Sequence, residues 1–103
     1  LRATADQLVD LTQLACPGGG GVFTSPGLLD EYLRLFYWKL ALPHSRIEDL
    51  NGRLGGEDEH EQITLRIVPY EDVVFHCPDA KTISALHLAQ MYEEGRLAQK
   101  GPL

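Results

Sequence analysis

A cysteine in the second half of the chain is the residue best placed to do chemistry. Cys77 follows an apolar run that begins at Val73, and a short Pro-Asp loop separates it from a segment with helical character. Some enzymes hold a nucleophilic thiolate between a strand and the N-terminus of a helix, where the helix dipole stabilises the anion. Residues 73–83 therefore decide whether the sequence encodes a cysteine-dependent enzyme.

The His76–Cys77 pair resembles the start of the protein tyrosine phosphatase motif, and the loop is also similar to the sulfur-carrying loop of rhodaneses. The arginine that binds phosphate in the phosphatase motif is replaced here by Ile83. Pro78 removes one backbone N–H from the loop and Asp79 adds a negative charge, whereas an anion site at a helix N-terminus needs N–H donors and positive potential. The loop therefore lacks the cationic support of either enzyme.

Strand periodicity gives a simpler interpretation of this cysteine. Val73, Phe75 and Cys77 would share one face of a strand, because alternate side chains point the same way. We therefore expect Cys77 to be a structural thiol and assign no catalytic residue. A small cysteine-dependent enzyme, or a sulfur or phosphoryl carrier centred on Cys77, is the alternative. A disulfide between Cys16 and Cys77 stays open, although two free thiols in a reducing, intracellular compartment are favoured.

Metal and cofactor chemistry is not indicated by the remaining polar residues. His76 and Cys77 would point to opposite faces of a strand, and the other histidines lack the paired spacing of zinc ligands. The acidic run at 57–61 lacks the alternating ligands and fixed glycine of a calcium loop. We therefore predict no metal site and no cofactor.

Composition and charge restrict the classes of partner. The chain has 103 residues, 44% of them hydrophobic and 23% charged, with a formal net charge of −6. Negative charge repels phosphate backbones and anionic lipid headgroups, so nucleic acid and membrane surfaces are not expected partners. No apolar run reaches the roughly 18–20 residues of a membrane span. A protein partner or a homo-oligomer fits this composition better.

The pattern along the chain predicts a small two-layer α+β domain. We expect a single domain over 1–103, with a Gly-rich connector at 17–25, an acidic loop at 55–62 and a tail at 96–103. Capping patterns and apolar spacing predict helices at 4–15, 26–41 and 82–94, with a short helical turn closed by Asn51 and Gly52.

Alternating apolar residues at 63–68 and 73–77 predict an antiparallel β-hairpin, with Glu71 and Asp72 in its turn. The side chains expected to be buried in it are those of Ile63, Leu65, Ile67, Val73 and Phe75.

The predicted helix at 26–41 carries more large apolar side chains than one face of a helix in a small domain usually buries. Arg34, Tyr37 and Trp38 lie on its less apolar side and belong to the residue types that often anchor interfaces. We therefore predict a non-enzymatic protein–protein interaction domain, or a subunit of a larger assembly, that docks through this segment. The competing interpretation is that all these side chains belong to the core.

Overall fold

The computed structural model describes residues 2–52 and 63–97. Its helices and two small antiparallel sheets confirm the predicted fold class, a small two-layer α+β domain. The chain divides into two compact units, residues 1–39 with 77–103 and residues 40–76, which are described separately. The predicted acidic loop lies outside the described residues.

The first unit contains two short sheets and two helices. Its elements are β1 (Val9–Asp10), α1 (Leu11–Ala15), β2 (Val22–Phe23), β3 (Tyr32–Leu33), β4 (Phe36–Tyr37) and α4 (Ala80–Glu93). Strands β1 and β4 pair antiparallel with Val9 opposite Tyr37, and β2 and β3 pair antiparallel with Val22 opposite Leu33. Both helices pack against β4, so helices form one layer and the β1–β4 sheet the other.

The buried apolar centre of this unit is small. Among the described residues its fully buried members are Leu11, Ala89 and Leu97, with exposed fractions of 1%, 5% and 5%. Thr12 is also buried, and its hydroxyl accepts a hydrogen bond from the backbone N–H of Leu35 at 2.7 Å. Leu97, the second residue of the segment predicted as a tail, packs into this centre.

The predicted first helix, 4–15, is divided into two parts. A 3₁₀ turn covers Ala5–Gln7, where the Thr4 N–H donates to Gln7 Oε1 at 2.9 Å. The chain then extends as β1, and Asp10 caps α1 by accepting from the Gln13 N–H at 2.9 Å. A side-chain oxygen at an N-cap satisfies an orphan donor of the first turn, so Asp10 starts a new helix.

The predicted helix at 26–41 is wrong. Ser25 starts a single turn, in which its carbonyl accepts from the N–H groups of Leu28 and Leu29 at 2.9 and 2.7 Å. The aromatic-rich residues that follow are extended and supply β3 and β4. Tyrosine, phenylalanine and leucine fit a half-buried extended segment as well as a helix, and here the pairing partners β1 and β2 decide between them.

The second unit begins with α2 (His44–Leu50), which confirms the predicted short helical turn. Gly52 follows with a φ of 85°, a backbone conformation that glycine adopts without steric cost. Its N–H donates to the Leu65 carbonyl at 2.8 Å, and the Asn51 side chain accepts from the Ile67 N–H at 2.9 Å. The extended residues near 65 therefore bond to the end of α2.

The predicted hairpin of 63–68 with 73–77 is wrong. Tyr70–Asp72 forms a 3₁₀ turn that continues into α3 (Val73–His76), so Glu71 and Asp72 lie in a continuous helical stretch. Pro69 precedes the turn with a φ of −56°, and the two acidic residues favour the positive end of a helix.

The burial predicted for this hairpin is also wrong for most of its residues. Val73 is half-buried. The side chains expected to be buried but found exposed are those of Ile63, Leu65, Ile67 and Phe75.

The last predicted helix is confirmed as α4. Asp79 caps it by accepting from the Thr82 N–H at 3.0 Å, and Gly95 follows its end with a φ of 72°. No helix among the described residues has both the length and the apolar composition to cross a bilayer.

Candidate functional site

Residues 32–37 form one extended segment with two different faces. Side chains at odd positions, Leu33, Leu35 and Tyr37, are half-buried, and those at even positions are exposed. This is the period of two expected of a strand with one face against a core. Arg34 and Tyr37, two of the three predicted docking residues, therefore point to opposite faces and do not form one patch.

The exposed side of this segment and the neighbouring β2 together form a surface that we call the exposed aromatic face. It consists of Phe23, Tyr32, Arg34 and Phe36. The rings of Phe23 and Tyr32 lie opposite each other across the β2–β3 pair, with centroids 4.5 Å apart. Phe23, Tyr32 and Phe36 have exposed fractions of 54%, 55% and 50%. Large exposed apolar patches commonly mark interaction sites.

Arg34 is positioned by an ion pair at the edge of this face. Its guanidinium donates to Asp10 Oδ2, and the other oxygen of that carboxylate caps α1. The backbone hydrogen bond from Gln13 is the main cause that holds the pKa of Asp10 below its ordinary value, and Arg34 adds to it. Asp10 thus links β1, α1 and the exposed aromatic face.

Tyr37 and Trp38 do not lie on the less apolar side of a helix, as the sequence predicted. Tyr37 packs against the buried centre, and its hydroxyl donates to Glu93 Oε1 at 2.9 Å. Trp38 follows β4 and is half-buried, not exposed as its predicted helical position implied. Tyr37 therefore stabilises the first unit from within.

A cleft of about 260 Å³ opens beside the N-terminus of α4. Val22, Leu29 and Leu33 line its apolar side, and Lys81 and Ser84 line the side formed by α4. Its volume is comparable to the small end of ligand pockets. The same cleft borders the exposed aromatic face, because Phe23 contributes to both.

Two of the charged groups that line this cleft, Lys81 and Asp79, are paired with each other. Lys81 Nζ lies 2.8 Å from Asp79 Oδ1, and Asp79 Oδ2 accepts from the N–H and hydroxyl of Thr82, both at 3.0 Å. The hydrogen bond from Lys81 is the main cause that lowers the pKa of Asp79, and the same bond raises the pKa of Lys81. Lys81 is therefore partly neutralised as an anion-binding group.

Cys77 lies in the loop before α4, not on a strand. Its thiol is half-buried and donates to Thr82 Oγ1 at 3.4 Å. Cys16 is also half-buried, and both cysteines are free thiols. The favoured prediction of two unbonded thiols therefore agrees with the structure.

A second cleft, of about 270 Å³, lies within the second unit. His44, Ile47, Glu48, Asn51 and Ile67 line it. His44 Nε2 is 2.9 Å from Glu48 Oε1, an i,i+4 pair on α2. Within residues 2–52 and 63–97, no three potential metal ligands among the His, Cys, Asp and Glu side chains come together.

Sequence reasoning missed three residues that position the site. The carboxylates of Asp10 and Glu93 each accept hydrogen bonds from side chains in the range 32–39. Phe36 lies beside Arg34 on the exposed aromatic face. The aromatic and leucine-rich composition of residues 32–37, which suits a strand, was the available signal for Phe36. The partners of Asp10 and Glu93 lie far away in sequence, so local pattern gives no sign of them.

Comparison with known proteins gives one informative match. The chain is 31% identical over 93 residues to Nudix hydrolase 14, chloroplastic, of Arabidopsis thaliana. The match covers 88% of this chain but 30% of that protein, so the chain spans less than a third of the length of the curated relative it matches. No family model and no solved structure matches the chain.

Proposed function

We propose that this chain is a docking part of a larger hydrolase assembly. It packs against further polypeptide through the aromatic-rich segment 26–41, and hydrolysis belongs to the assembled protein. The proposal keeps the predicted interaction role and replaces the predicted helix by the extended segment 32–37 with its exposed aromatic face. Its relationship to a hydrolase rests on the match to the Arabidopsis protein.

The observation that carries the proposal is the imbalance between buried and exposed apolar side chains. In the described part of the chain, three apolar residues are buried, whereas fourteen large hydrophobic residues are exposed. Burial of apolar surface is the dominant favourable term in folding and in association. A protein with this imbalance gains stability when further polypeptide covers its exposed side chains.

The length of the relative provides a source for the covering polypeptide. The matched segment is 30% of the Arabidopsis protein, so more than two thirds of that chain lies outside the match. In the Arabidopsis protein, this additional polypeptide is available to cover the side chains that correspond to the exposed aromatic face. This difference in length supports the interpretation that the chain is one structural part of a hydrolase, rather than a binding module that functions alone.

The cysteine-centred alternative has weaker support. Cys77 does precede the N-terminus of α4, as a reactive thiol would. However, its thiol donates to Thr82, and the carboxylate of Asp79 caps the same helix. The N-terminus of α4 is therefore already occupied by a carboxylate.

A chimera tests the proposal. The matched segment of the Arabidopsis protein is replaced by this chain, and hydrolysis is compared with that of the intact Arabidopsis protein on the same substrate. We expect a folded chimera with measurable activity and an isolated chain with none. A chimera that is inactive or unfolded, or an isolated chain that hydrolyses the substrate by itself, would overturn the proposal.

Two matched variants locate the docking surface in the chimera. Phe36→Asp places a charge on the exposed aromatic face, and Phe75→Asp places one at a phenylalanine outside the segment 26–41, where the side chain is 81% exposed. We expect Phe36→Asp to reduce folding and activity far more than Phe75→Asp. Equal effects of the two variants would contradict docking through this face.

A further inference from the structure

Residues 32–37 are hydrogen-bonded along one edge by three successive parts of the chain. Tyr37 pairs with Val9 in β1, and Leu33 pairs with Val22 in β2. Between them the Leu35 carbonyl accepts from the Leu11 N–H at 2.9 Å. Residues 9, 11 and 22 thus oppose residues 37, 35 and 33 in order, as in one interrupted antiparallel ladder.

The hydrogen bonds of Leu35 show which edge of residues 32–37 faces α1. Its N–H donates to Thr12 Oγ1 at 2.7 Å and its carbonyl accepts from Leu11, so both main-chain groups point toward α1. In an antiparallel ladder, alternate residues direct their main-chain groups to the same edge. The N–H and C=O groups of Arg34 and Phe36 therefore point to the opposite edge.

No strand in the described part of the chain pairs with that opposite edge. Both sheets are two-stranded, so β3 and β4 each have one strand neighbour. An unpaired edge is a template for another strand, and its polar groups need hydrogen-bond partners once apolar side chains around it are covered. The adjoining exposed aromatic face is such a set of apolar side chains.

We propose that the free edge of residues 32–37, formed by the main-chain groups of Arg34 and Phe36, is completed by a β-strand from the hydrolase polypeptide outside the matched segment. The inference rests on the proposed function, and it adds the mode of docking. A strand at this edge would satisfy the main-chain groups while its side chains cover Tyr32 and Phe36. The length of the Arabidopsis relative outside the match provides polypeptide for this strand.

Residue-resolved amide hydrogen exchange tests the proposal in the isolated chain and in the chimera. In the isolated chain, the amides of Arg34 and Phe36 should exchange at least about tenfold faster than that of Leu35, which is hydrogen-bonded. In an active chimera both amides should become protected by about tenfold or more. An active chimera in which both amides exchange as fast as in the isolated chain would overturn the edge proposal and leave the proposed function standing. If the chimera is inactive or unfolded, the proposed function fails and the edge proposal falls with it.

Proline variants provide a second measurement, because proline removes one N–H and is tolerated on edge strands. Phe36→Pro should leave the circular dichroism of the isolated chain unchanged but prevent folding of the chimera. Phe36→Ala, which keeps the N–H but removes the ring, should destabilise the chimera less than Phe36→Pro does. Leu35→Pro should unfold the isolated chain, because it removes the bond to Thr12. A Phe36→Pro chimera as stable as the Phe36→Ala chimera would contradict a strand at this edge.

Discussion

The hydroxyl of Tyr37 donates a hydrogen bond to Glu93 Oε1 at 2.9 Å, across 56 positions of sequence. Lys39 Nζ lies 3.1 Å from the other oxygen of the same carboxylate. The hydrogen bond from Tyr37 is the main cause that lowers the pKa of Glu93, and Lys39 is the next. The Tyr37 ring also meets that of Tyr92 edge to face, with centroids 6.0 Å apart. This contact joins β4 to the end of α4.

Replacing Tyr37 by phenylalanine should raise the pKa of Glu93. The substitution removes the donor and keeps the ring, so packing against the core changes little. We expect NMR titration of the Glu93 side chain to show the rise. Lys39→Ala should also raise this pKa, because Lys39 contributes both a hydrogen bond and a positive charge. A Glu93 titration unchanged by Tyr37→Phe would contradict the role of this hydrogen bond.

Acid should destabilise the first unit in part through three of its carboxyl groups. Asp10, Asp79 and Glu93 all have a lowered pKa in the folded chain. The unfolded chain therefore binds more protons in the acid range, and the free energy of unfolding falls as pH falls. The loss should begin near the unfolded values, about pH 4–5, and continue below them.

Urea unfolding between pH 7 and pH 3 measures this effect. Asp79→Asn, which keeps a side-chain acceptor at the helix cap but cannot ionise, should lose less stability over that range than the unchanged chain. A free energy of unfolding that rises between pH 5 and pH 3 would contradict the direction of the three shifts.

Leu11 should be among the most sensitive apolar positions. Its side chain is 1% exposed in a small buried centre. Leu11→Ala should cost about 2–5 kcal/mol of unfolding free energy, the range for a fully buried leucine. Leu28→Ala, at a position 90% exposed, should cost less than about 0.5 kcal/mol. Equal costs in urea unfolding would show that Leu11 is not in the core.

The parts of the fold that sequence predicted correctly carry their own local stop signals. Asn51-Gly52 and Gly95 end α2 and α4, and both glycines adopt positive φ. A left-handed residue after a helix is a local feature, so it can be recognised without knowledge of the tertiary structure.

The parts that failed were decided by distant contacts. The spacing of Leu29, Leu33 and Phe36 fits a helix, but the aromatic residues between 32 and 37 also suit a strand. Its pairing with β1 and β2 selected the strand. At 73–76 the opposite happened, because the 3₁₀ turn after Pro69 continued into helix despite two valines. Intrinsic strand preference is weak enough for such context to override it.

Cys77→Ser should change stability little. The thiol donates to Thr82 Oγ1 and is half-buried, and a serine hydroxyl retains that donor. We expect a change within about 1 kcal/mol in urea unfolding and no loss of hydrolysis in the chimera. With Cys16→Ser as background, alkylation of Cys77 at neutral pH should be slower in the folded chain than in the unfolded chain. Alkylation at least as fast in the folded chain would favour the cysteine-centred alternative.

Trp38→Ala should distinguish docking from ordinary core packing. Trp38 is half-buried just after β4, next to the segment that we propose as the docking edge. In the isolated chain the substitution should cost about 1 kcal/mol, as at a partly exposed site. In the chimera it should cost a further 2 kcal/mol or more, because a large aromatic anchor loses its contacts with the covering polypeptide. Urea unfolding of both proteins measures the difference. If Trp38→Ala instead unfolds the isolated chain by several kcal/mol and adds nothing in the chimera, Trp38 is a core residue and not an anchor.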